Sequence, residues 1–388
     1  MEMKKKKFVV CIVAAFLAGA AVTGGSCAVA FNGVFGYVKV SKDDYEKMSQ
    51  TYQRYGKLNQ LYNTVNTTFY DDVNEESLME GAYKGLVSGL GDPYSSYMTA
   101  DEYKTWKATA TGEYSGIGVP FTKDENGNFA VISVEKGSPA EEAGLKAGDF
   151  ITAVDDKEYD DLDVIGNAIR GDEGSKVKLT YVRDGKEKSV TLIRQTIVQH
   201  SVEHKMMDGN IGYIRISSFI ETTGDDFKEA LKDIEGKSAK GLILDLRDNG
   251  GGLVNSCVEV ADEFLDEGVV AYVEDRNKNR TDYEAKDGKT DLKTVVLVNE
   301  NSASASEILA AALKDNGFDL VGQTTYGKGV IQSTAELEDG SALKLTIMQY
   351  FSPDGNAINK KGVEPDYKVK NEENSGSDTQ MKKAVSLF

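Results

Sequence analysis

The chain is poor in the residues that build metal centres and disulfide scaffolds. It has two His and three Cys, too few for a typical zinc site or a disulfide framework. Cys11 and Cys27 lie in the apolar N-terminus, so Cys257 has no partner for an intrachain bridge in the rest of the chain. We therefore expect a function that needs neither a metal nor an organic cofactor.

Basic residues and proline are also scarce. Lys and Arg number 45 against 63 Asp and Glu, which gives a formal net charge of −18. Nucleic-acid-binding proteins need a basic surface to neutralise phosphates, so the charge argues against that class. Five Pro beside 39 Gly exclude Pro-rich and collagen-like chains. Apolar residues make up 40% of the 388 residues, enough for two or three domains of roughly 150 residues each.

The first 40 residues have the pattern of an export segment. Lys4 to Lys7 precede an uncharged stretch, Phe8–Val38, which is longer than the roughly 20 residues that span a bilayer. We predict an uncleaved single-pass anchor in the cell membrane, with the residues from about 40 onward outside the cytoplasm. The alternatives are a cleaved signal, which would release a secreted or periplasmic protein, lipidation of Cys27, and a buried core helix.

Changes of pattern along the chain predict an α+β multidomain protein. Residues 41–111 are polar and mostly helical in pattern. Residues 112–197 contain short β-rich runs separated by turn pairs such as Asn126-Gly127. Residues 198–370 alternate strand and helix, which is typical of a mixed α/β core. Residues 371–388 have the pattern of a polar tail and a short C-terminal helix.

A glycine-containing loop opens the β-rich segment and is a candidate carboxylate site. In Ser115-Gly116-Ile117-Gly118, the glycines allow successive backbone N–H groups to converge on one anion. The strand that follows could pair with an extended peptide. With the later run 137–149, which contains Ser138-Pro139-Ala140 and Gly148-Asp149, the segment resembles a PDZ domain. The alternative is a small β-domain whose glycines only make turns.

The run Ser302-Ala303-Ser304-Ala305-Ser306-Glu307 contains the candidate nucleophile. It follows an apolar strand, Val295–Val298, and opens an apolar helix, Ile308–Leu313. A hydroxyl at a strand-to-helix junction lies at the positive end of the helix dipole, which suits a nucleophile. The same spacing of Ser304 and Glu307 is also a capping box, and this run alone does not decide between the two.

A lysine between two glycines is the candidate general base. Lys328 lies in Gly327-Lys328-Gly329 at the start of an apolar strand, where we expect it to lie against backbone and to be partly buried. Burial lowers the pKa of a lysine, and a neutral lysine can take the proton of a serine hydroxyl. Gln332, four residues on, is predicted to share its strand face and to orient the amine. The alternative for Lys328 is an ordinary surface lysine.

A third run combines an apolar strand with a glycine turn before a helix. It reads Asp245-Leu246-Arg247-Asp248-Asn249-Gly250-Gly251-Gly252 after the strand residues 241–244, and its exposed N–H groups could stabilise an oxyanion. The alternative is a tight turn without a catalytic role. His200 and His204 lie in a polar connector, which disfavours a Ser-His-Asp triad, although triads are recognised by geometry rather than by chain order.

Together these runs resemble the carboxy-terminal processing peptidases, also called tail-specific proteases, over roughly residues 75–368. The resemblance implies a crotonase-like core with a Ser-Lys-Gln site and a PDZ domain inserted before it. The matching motifs are Gly91-Asp92-Pro93-Tyr94-Ser95-Ser96-Tyr97-Met98, the runs described at Asp245–Gly252 and Ser302–Glu307, Gly327-Lys328-Gly329, and Lys360-Lys361-Gly362-Val363-Glu364-Pro365-Asp366.

By motif position, the resemblance implies that Ser304 is the nucleophile, Lys328 the base and Gln332 its orienting partner. The resemblance further implies that the oxyanion donors are the N–H of Ala305 and that of Gly250 or Gly251. It implies that Ser115–Gly118 is the peptide-binding loop. Arg170 matches an arginine that links peptide binding to the active site in some members.

We therefore expect an exported serine endopeptidase that recognises exposed C-terminal tails of proteins through the PDZ domain and cleaves nearby bonds through an acyl-enzyme. Its expected partners are protein or peptide substrates and the membrane, and no nucleic acid. Family members often assemble through the helical N-terminal region and the terminal segment, so a homodimer is a further expectation. The alternatives are a catalytically silent PDZ scaffold and another acyl-transfer enzyme on a crotonase-like core.

Overall fold

The computed structural model describes residues 40–286, 289–371 and 377–388. The predicted export anchor and Cys27 lie outside the described residues, as does most of the predicted polar tail. Within the part that is described, no helix is both long enough and apolar enough to cross a membrane. Contacts divide the chain into two compact units, Met1–Met79 and Glu80–Phe388.

The described part of the first unit is helical. Helix α1, Lys42–Thr68, begins after Ser41, whose hydroxyl oxygen accepts from the Asp44 N–H at 3.1 Å, as favoured N-cap residues do. None of the 27 residues of α1 is buried. Helix α2, Glu75–Ser88, begins in the first unit and ends in the second.

Strand β1 (Ser96–Met98) and helix α3 (Ala100–Thr111) lead into a β-rich domain. Its elements in chain order are β2 Glu113–Gly116, β3 Phe121–Lys123, β4 Phe129–Val131, α4 Pro139–Glu142, β5 Phe150–Val154, α5 Leu162–Ile169, β6 Lys176–Arg183, β7 Lys186–Ile193 and β8 Gln195–Val198. Strands β3 to β7 form one antiparallel sheet in sequence order, and β2 pairs with β8. A buried cluster that includes Ile151, Ile165 and Leu179 joins the sheet to α5.

The rest of the chain forms two sheets with their helices. Its elements are β9 Val202–Met207, β10 Ile211–Ile216, α6 Thr223–Gly236, β11 Gly241–Asp245, α7 Val254–Asp262, β12 Gly268–Asp275, β13 Arg280–Ala285, β14 Thr294–Val298, α8 Ala305–Asp315, β15 Asp319–Gly322, β16 Val330–Glu336, β17 Ala342–Phe351, β18 Tyr367–Lys368 and α9 Thr379–Val385. A six-stranded sheet has the order β18-β15-β14-β11-β10-β9, in which only β9 is antiparallel. The second sheet has the order β1-β17-β12-β13, with β16 paired to β17.

The main hydrophobic core lies between these two sheets. It joins buried residues of α6, α7 and α8 to residues of the second sheet such as Val273 and Tyr350. A smaller cluster, which includes Ile243, Val295 and Ala384, joins the six-stranded sheet to α9. The sheet is therefore covered on both faces, as parallel sheets require.

The central strands of this sheet position the candidate site. Strands β11 and β14 are buried along their whole length, and α8, rich in the strong helix former Ala, is buried from Ala305 to Leu313. Because β11 and β14 are parallel neighbours, their carboxyl ends meet at one edge of the sheet, where α/β proteins place their sites. The loops that follow them, 246–253 and 299–304, lie together at this edge.

Candidate active site

Ser304 lies in the loop after β14 and directly precedes α8. Its backbone has φ 57° and ψ −116°, a conformation that costs free energy in a residue other than glycine and that is concentrated at functional sites. Glu307 accepts from the Ser304 N–H at 2.9 Å, as in a capping box, and its own N–H donates to the Ser304 carbonyl at 2.9 Å. The Ser304 hydroxyl lies at the positive end of the helix dipole.

Glu307 is fully buried and joins the serine loop to the segment that carries Lys328. Besides the Ser304 N–H, its carboxylate accepts from the Thr325 hydroxyl at 2.5 Å and from two backbone N–H groups, those of Gly327 at 2.6 Å and Lys328 at 2.8 Å. Such charge-assisted hydrogen bonds compensate the burial of the carboxylate. One side chain thus sets the relative position of the two loops.

Lys328 is packed between backbone segments. A Cβ on Gly329 would lie 2.1 Å from the Asn359 nitrogen, and a Cβ on Gly327 would lie 3.1 Å from the Gly362 nitrogen. A side chain at Gly329 would therefore collide with backbone, and Gly327 adds a left-handed φ of +91° that favours glycine. The two glycines allow the loop to approach the 359–362 segment closely.

The environment of the Lys328 side chain favours a neutral amine. Burial and the nearby charge of Lys344 lower the pKa of Lys328, and Glu307 and Asp92 only partly oppose them. The Lys328 Nζ lies 4.8 Å from the centre of the Tyr94 ring. Among the described residues it makes no ion pair and no hydrogen bond, including none with the Ser304 hydroxyl.

The strand in which Gln332 lies does not include Lys328. Strand β16 begins at Val330, two residues after Lys328, and its register on β17 shifts between Ile331 and Gln332. A regular alternation of strand faces therefore does not run from position 328 to 332, and the role of Gln332 as orienting partner stays a prediction. The Gln332 Nε2 donates to the Thr346 Oγ1 at 3.1 Å, and no hydrogen bond joins Gln332 to Lys328 in the part of the chain that is described.

The glycine loop after β11 lies directly against Ser304. A Cβ on Gly251 would lie 2.7 Å from the Ser304 Cβ and 2.9 Å from the Ala305 nitrogen, and the φ of Gly251 is +99°. The Gly251 N–H donates to the Asn249 Oδ1 at 2.8 Å. The N–H groups of Gly250 and Ala305 have no hydrogen-bond partner among the described residues, which leaves these two available as oxyanion donors.

Polar contacts fix the first half of this loop. Asn249 is fully buried, and its backbone carbonyl accepts from the Ser306 hydroxyl at 2.9 Å. Two residues earlier, Arg247 pairs with Asp245 at 2.6 Å and with Asp378, the N-cap of α9, at 2.9 Å. The loop is therefore bonded both to α8 and to the start of the terminal helix.

Cys257 of α7 lies beneath the start of α8. It is fully buried, and its Sγ donates to the Ala305 carbonyl at 3.1 Å. Burial raises the pKa of this thiol far above its usual value. Cys257 is therefore an unreactive packing residue in the closed structure.

The loop of the β-rich domain has the backbone arrangement expected of an anion site. The Ile117 carbonyl accepts from the Ala140 N–H at 2.9 Å, and the Gly118 carbonyl accepts from the Glu135 N–H at 2.9 Å. Gly118 has φ +76°, and a Cβ there would lie 2.3 Å from the Ser138 Cβ. The N–H groups of Ile117 and Gly118 have no partner in the described residues.

Arg170 and the two histidines are not brought to Ser304. Arg170 is exposed and lies over the Tyr114 ring, with its Cζ 5.4 Å from the ring centre. His200 and His204 each pair with an aspartate of α6, at 2.9 Å and 3.0 Å. Within residues 40–286, 289–371 and 377–388, no three His, Cys, Asp or Glu side chains are grouped to hold a metal ion.

Comparison with known proteins places the chain in a family. Three family models match it: Peptidase family S41 over residues 210–369, the PDZ domain over 115–193, and the activating protease CtpB N-terminal domain over 26–102. The carboxy-terminal processing protease CtpA of Bacillus subtilis is 36% identical over 378 residues, which cover 95% of this chain and 78% of that protein. The chain belongs to the carboxy-terminal processing proteases.

Two further comparisons concern a second relative and a solved structure. A protein of Staphylococcus haemolyticus described as CtpA-like is 39% identical over 324 residues, which cover 82% of this chain but 65% of that protein. A protein of Bacteroides fragilis described as an S41 protease has a TM-score of 0.51 at 17% identity, covering 78% of this chain and 89% of its own. The likeness to the Bacteroides fragilis structure shows that the two proteins share a fold.

Family membership confirms several expectations from the sequence. The chain is a serine-type carboxy-terminal processing peptidase with a PDZ domain, and its mixed α/β multidomain fold is the predicted class. The chain therefore belongs neither to a family of catalytically silent PDZ scaffolds nor to one of unrelated acyl-transfer enzymes.

In this processing protease, the sequence did not predict the contacts that three residues, Glu307, Asn249 and Tyr350, make around Ser304. Glu307 was expected only as a capping residue, although its spacing from Ser304 was visible in the sequence. Asn249 is hidden within the glycine run. Tyr350, whose hydroxyl donates to the Ser304 carbonyl at 3.0 Å and also contacts the Lys328 carbonyl, lies in an apolar strand that gives no signal.

Proposed function

We propose that the enzyme cleaves peptide bonds through a Ser304 acyl-enzyme, with neutral Lys328 as general base. Ser304 would attack the scissile carbonyl while Lys328 takes its proton and later gives it to the leaving amine. The N–H groups of Gly250 and Ala305 would stabilise the oxyanion. The observation that supports this most directly is the strained backbone of Ser304, which the carboxylate of Glu307 ties to the Lys328 loop.

Gln332 is proposed to orient the base. Its Nε2 donates to the Thr346 Oγ1 at 3.1 Å and to the Val330 carbonyl at 3.4 Å, and its Oε1 accepts no hydrogen bond among the described residues. An uncharged amide can accept from the amine without the strong preference for the ammonium that a carboxylate would impose. Hydrogen bonds of this kind often tighten only when substrate is bound.

The PDZ domain is proposed to bind the C-terminal tail of the substrate. The unpartnered N–H groups of Ile117 and Gly118 would receive the terminal carboxylate, and the edge strand β3 would pair with the tail. Arg170, at the end of α5, is proposed to transmit tail binding to the catalytic domain.

The cellular arrangement is a further part of the proposal. Residues 1–40 would anchor the protein in the cell membrane, with the catalytic domain outside the cytoplasm. Helix α1 would contribute to a homodimer, since Tyr45, Met48 and Tyr52 are exposed on it at helical spacing. Both expectations are open to direct measurement, by fractionation of membranes and by light scattering of the purified chain.

The central experiment is mass spectrometry of a disordered protein incubated with the full chain, beside the Ser304→Ala variant. We expect fragments whose new termini lie near the substrate's C-terminus, and none with the variant. Tail binding without fragments from the native chain would support a silent scaffold. Hydrolysis of a thioester but of no peptide would support the acyl-transfer alternative.

A further inference from the structure

Arg247, in the loop that contains Gly250, lies between two carboxylates. Its guanidinium donates to the buried Asp245, with Nη2 2.6 Å from Oδ2 and Nε 2.9 Å from Oδ1. Its Nη1 donates to both oxygens of Asp378, at 3.0 Å and 2.9 Å, and to the Gln380 Oε1 at 3.1 Å. The Arg247 side chain is 14% exposed, so water screens these charge-assisted hydrogen bonds little. Arg247 therefore joins the end of β11 to the start of α9.

Helix α9 has contacts with the six-stranded sheet that do not involve Arg247. Ala384 is buried in the cluster that α9 forms with β11 and β14. Gln380 is also buried, and its Nε2 donates at 2.9 Å to the backbone carbonyl that follows β18. At the other end of the helix, the Lys293 Nζ donates to the Leu387 carbonyl at 2.6 Å. The start of α9 is therefore a fixed point to which the loop is bonded.

The residue after Arg247 has a strained backbone. Asp248 has φ +60°, in the left-handed region, which costs free energy outside glycine and persists only where the surroundings hold it. On the side of the serine loop, Asn299 and Asn301 donate from their Nδ2 atoms to the Asp248 Oδ1 at 2.8 Å and 2.9 Å. On the side of β11, the fixed guanidinium of Arg247 holds the chain. Gly250, a proposed oxyanion donor, lies two residues beyond the strained position.

We propose that Arg247 is a positioning residue for the oxyanion site, and that α9, through Asp378 and Gln380, is the support that fixes it. This inference rests on the proposed role of the Gly250 and Ala305 N–H groups as oxyanion donors. A misplacement of about 1 Å lowers a catalytic rate by roughly a hundredfold, so a strained loop that carries a donor needs such a support. Arg247 acts through the loop and not on the substrate.

The test is steady-state kinetics of the full chain on a fluorogenic, unstructured peptide. Asp378 caps α9 by accepting from the Met381 N–H at 2.9 Å, and serine caps a helix as well as aspartate does. Asp378→Ser therefore keeps the cap but removes the carboxylate beside Arg247. We expect kcat to fall about tenfold with KM unchanged, as for one lost charge-assisted hydrogen bond.

A second variant and a control accompany this change. Arg247→Lys keeps the charge but loses the planar fork that reaches two carboxylates, and it should lower kcat at least as much. The control is Asp282→Ser on β13, which removes the carboxylate from an exposed pair with Arg280 and should leave kcat unchanged.

Inhibitor binding separates positioning from a general structural effect. A peptide boronic acid forms a tetrahedral adduct with a nucleophilic serine and so depends on the oxyanion donors, whereas binding of the uncleaved peptide to a Ser304→Ala background does not. Asp378→Ser should weaken the boronic acid about tenfold and leave the affinity for the peptide unchanged. In an Arg247→Lys background it should cause no further loss of kcat, because residues that act through one another are non-additive.

The outcomes distinguish this inference from the mechanism on which it rests. Native kcat in Asp378→Ser, an additive loss in the double variant, or an equal loss of affinity for the uncleaved peptide overturns the role of Arg247 and α9 alone. A native chain that neither cleaves the peptide nor binds the boronic acid overturns the proposed acyl-enzyme mechanism itself.

Discussion

At the scale of the residue, the candidate site contains two ionisable groups in opposite environments, one half-buried and one fully buried. Lys328 is placed where its charge is disfavoured, because burial and Lys344 lower its pKa. Glu307 is fully buried but receives four hydrogen bonds. A lysine that can lose its proton serves as a base, whereas a carboxylate surrounded by donors serves as a fixed structural anion.

The first prediction concerns the base. A free lysine has a pKa of about 10.4, and Lys328 must be neutral to accept the serine proton. Because its pKa is lowered, we expect the acylation rate to rise with pH through an apparent pKa below that of free lysine. Lys328→Ala and Lys328→Arg should both be inactive, since arginine stays protonated.

The pH profile of kcat/KM measures this pKa, and Gln332→Glu provides a directional control. A carboxylate near the amine favours the ammonium, so the profile of that variant should move to higher pH. Substantial turnover by Lys328→Arg, together with loss of activity in His204→Ala, would replace the lysine with a histidine mechanism.

The second prediction concerns the buried anion. Glu307→Gln keeps the size of the side chain but removes the charge and turns an amide N–H₂ group toward backbone donors. We expect kcat to fall by about a hundredfold and the free energy of unfolding to fall by about 2 kcal/mol or more. Chemical denaturation and peptide kinetics measure the two effects. Glu336→Gln, an exposed position on β16, is the control, and equal behaviour of both variants would contradict the role of Glu307.

At the scale of the element, the site is made by loops that close against each other. The 246–253 loop and the serine loop meet at Gly251, where there is no room for a side chain. Its positive φ adds a cost for any other residue. The third prediction follows from both features.

Gly251→Ala should lower kcat by about a hundredfold or more, because the added Cβ would displace Ser304 and the Ala305 N–H. A displacement of about 1 Å is enough to slow catalysis to this extent. Gly236→Ala at the end of α6, where a Cβ would meet nothing within 4 Å, should leave kcat unchanged. Circular dichroism tests whether both variants fold. A folded and fully active Gly251→Ala protein would show that the loop does not contact the nucleophile as described.

The same loops mark the limit of what the sequence could predict. The serine, glycine and lysine runs are local patterns at the ends of strands and helices, and the mixed α/β class follows from the alternation of elements. The hydrogen bonds that Thr325 and Gly327 donate to Glu307, by contrast, join positions distant in the chain. The register shift before Gln332 has no local pattern, and it interrupts the alternation of faces on which the predicted position of that side chain rests.

At the scale of the whole molecule, the proposed tail site and the candidate active site lie in different domains. The PDZ loop and the serine loop belong to separate hydrophobic cores, so the proposed function requires that tail recognition in one domain leads to cleavage by the other. Two predictions address the two ends of that connection.

The fourth prediction is that the terminal carboxylate of the substrate decides binding. Hydrogen bonds to a charged group contribute about 1.5–3 kcal/mol, so an amidated peptide should show a KM raised by about tenfold or more at similar kcat. Paired peptides, identical except for the terminal amide, provide the comparison. The same KM for both would remove the Ile117 and Gly118 N–H groups from recognition.

The fifth prediction is that Arg170→Ala separates binding from turnover. Arg170 is exposed and contacts Tyr114 of β2, next to the carboxylate loop. The variant should bind tails with native affinity, measured by fluorescence anisotropy on the Ser304→Ala background, yet cleave them slowly. Unchanged turnover would exclude Arg170 from the connection.

Cys257 gives this protein an internal reporter of its own opening. The thiol lies against the carbonyl of Ala305, so no reagent can reach it while α8 and the loop that begins it are in place. Its alkylation rate, followed by mass spectrometry of the peptide that contains it, therefore measures how often the oxyanion region opens. Substrates and inhibitors that hold this region closed should slow the labelling, and they can be compared on the native chain without any added probe.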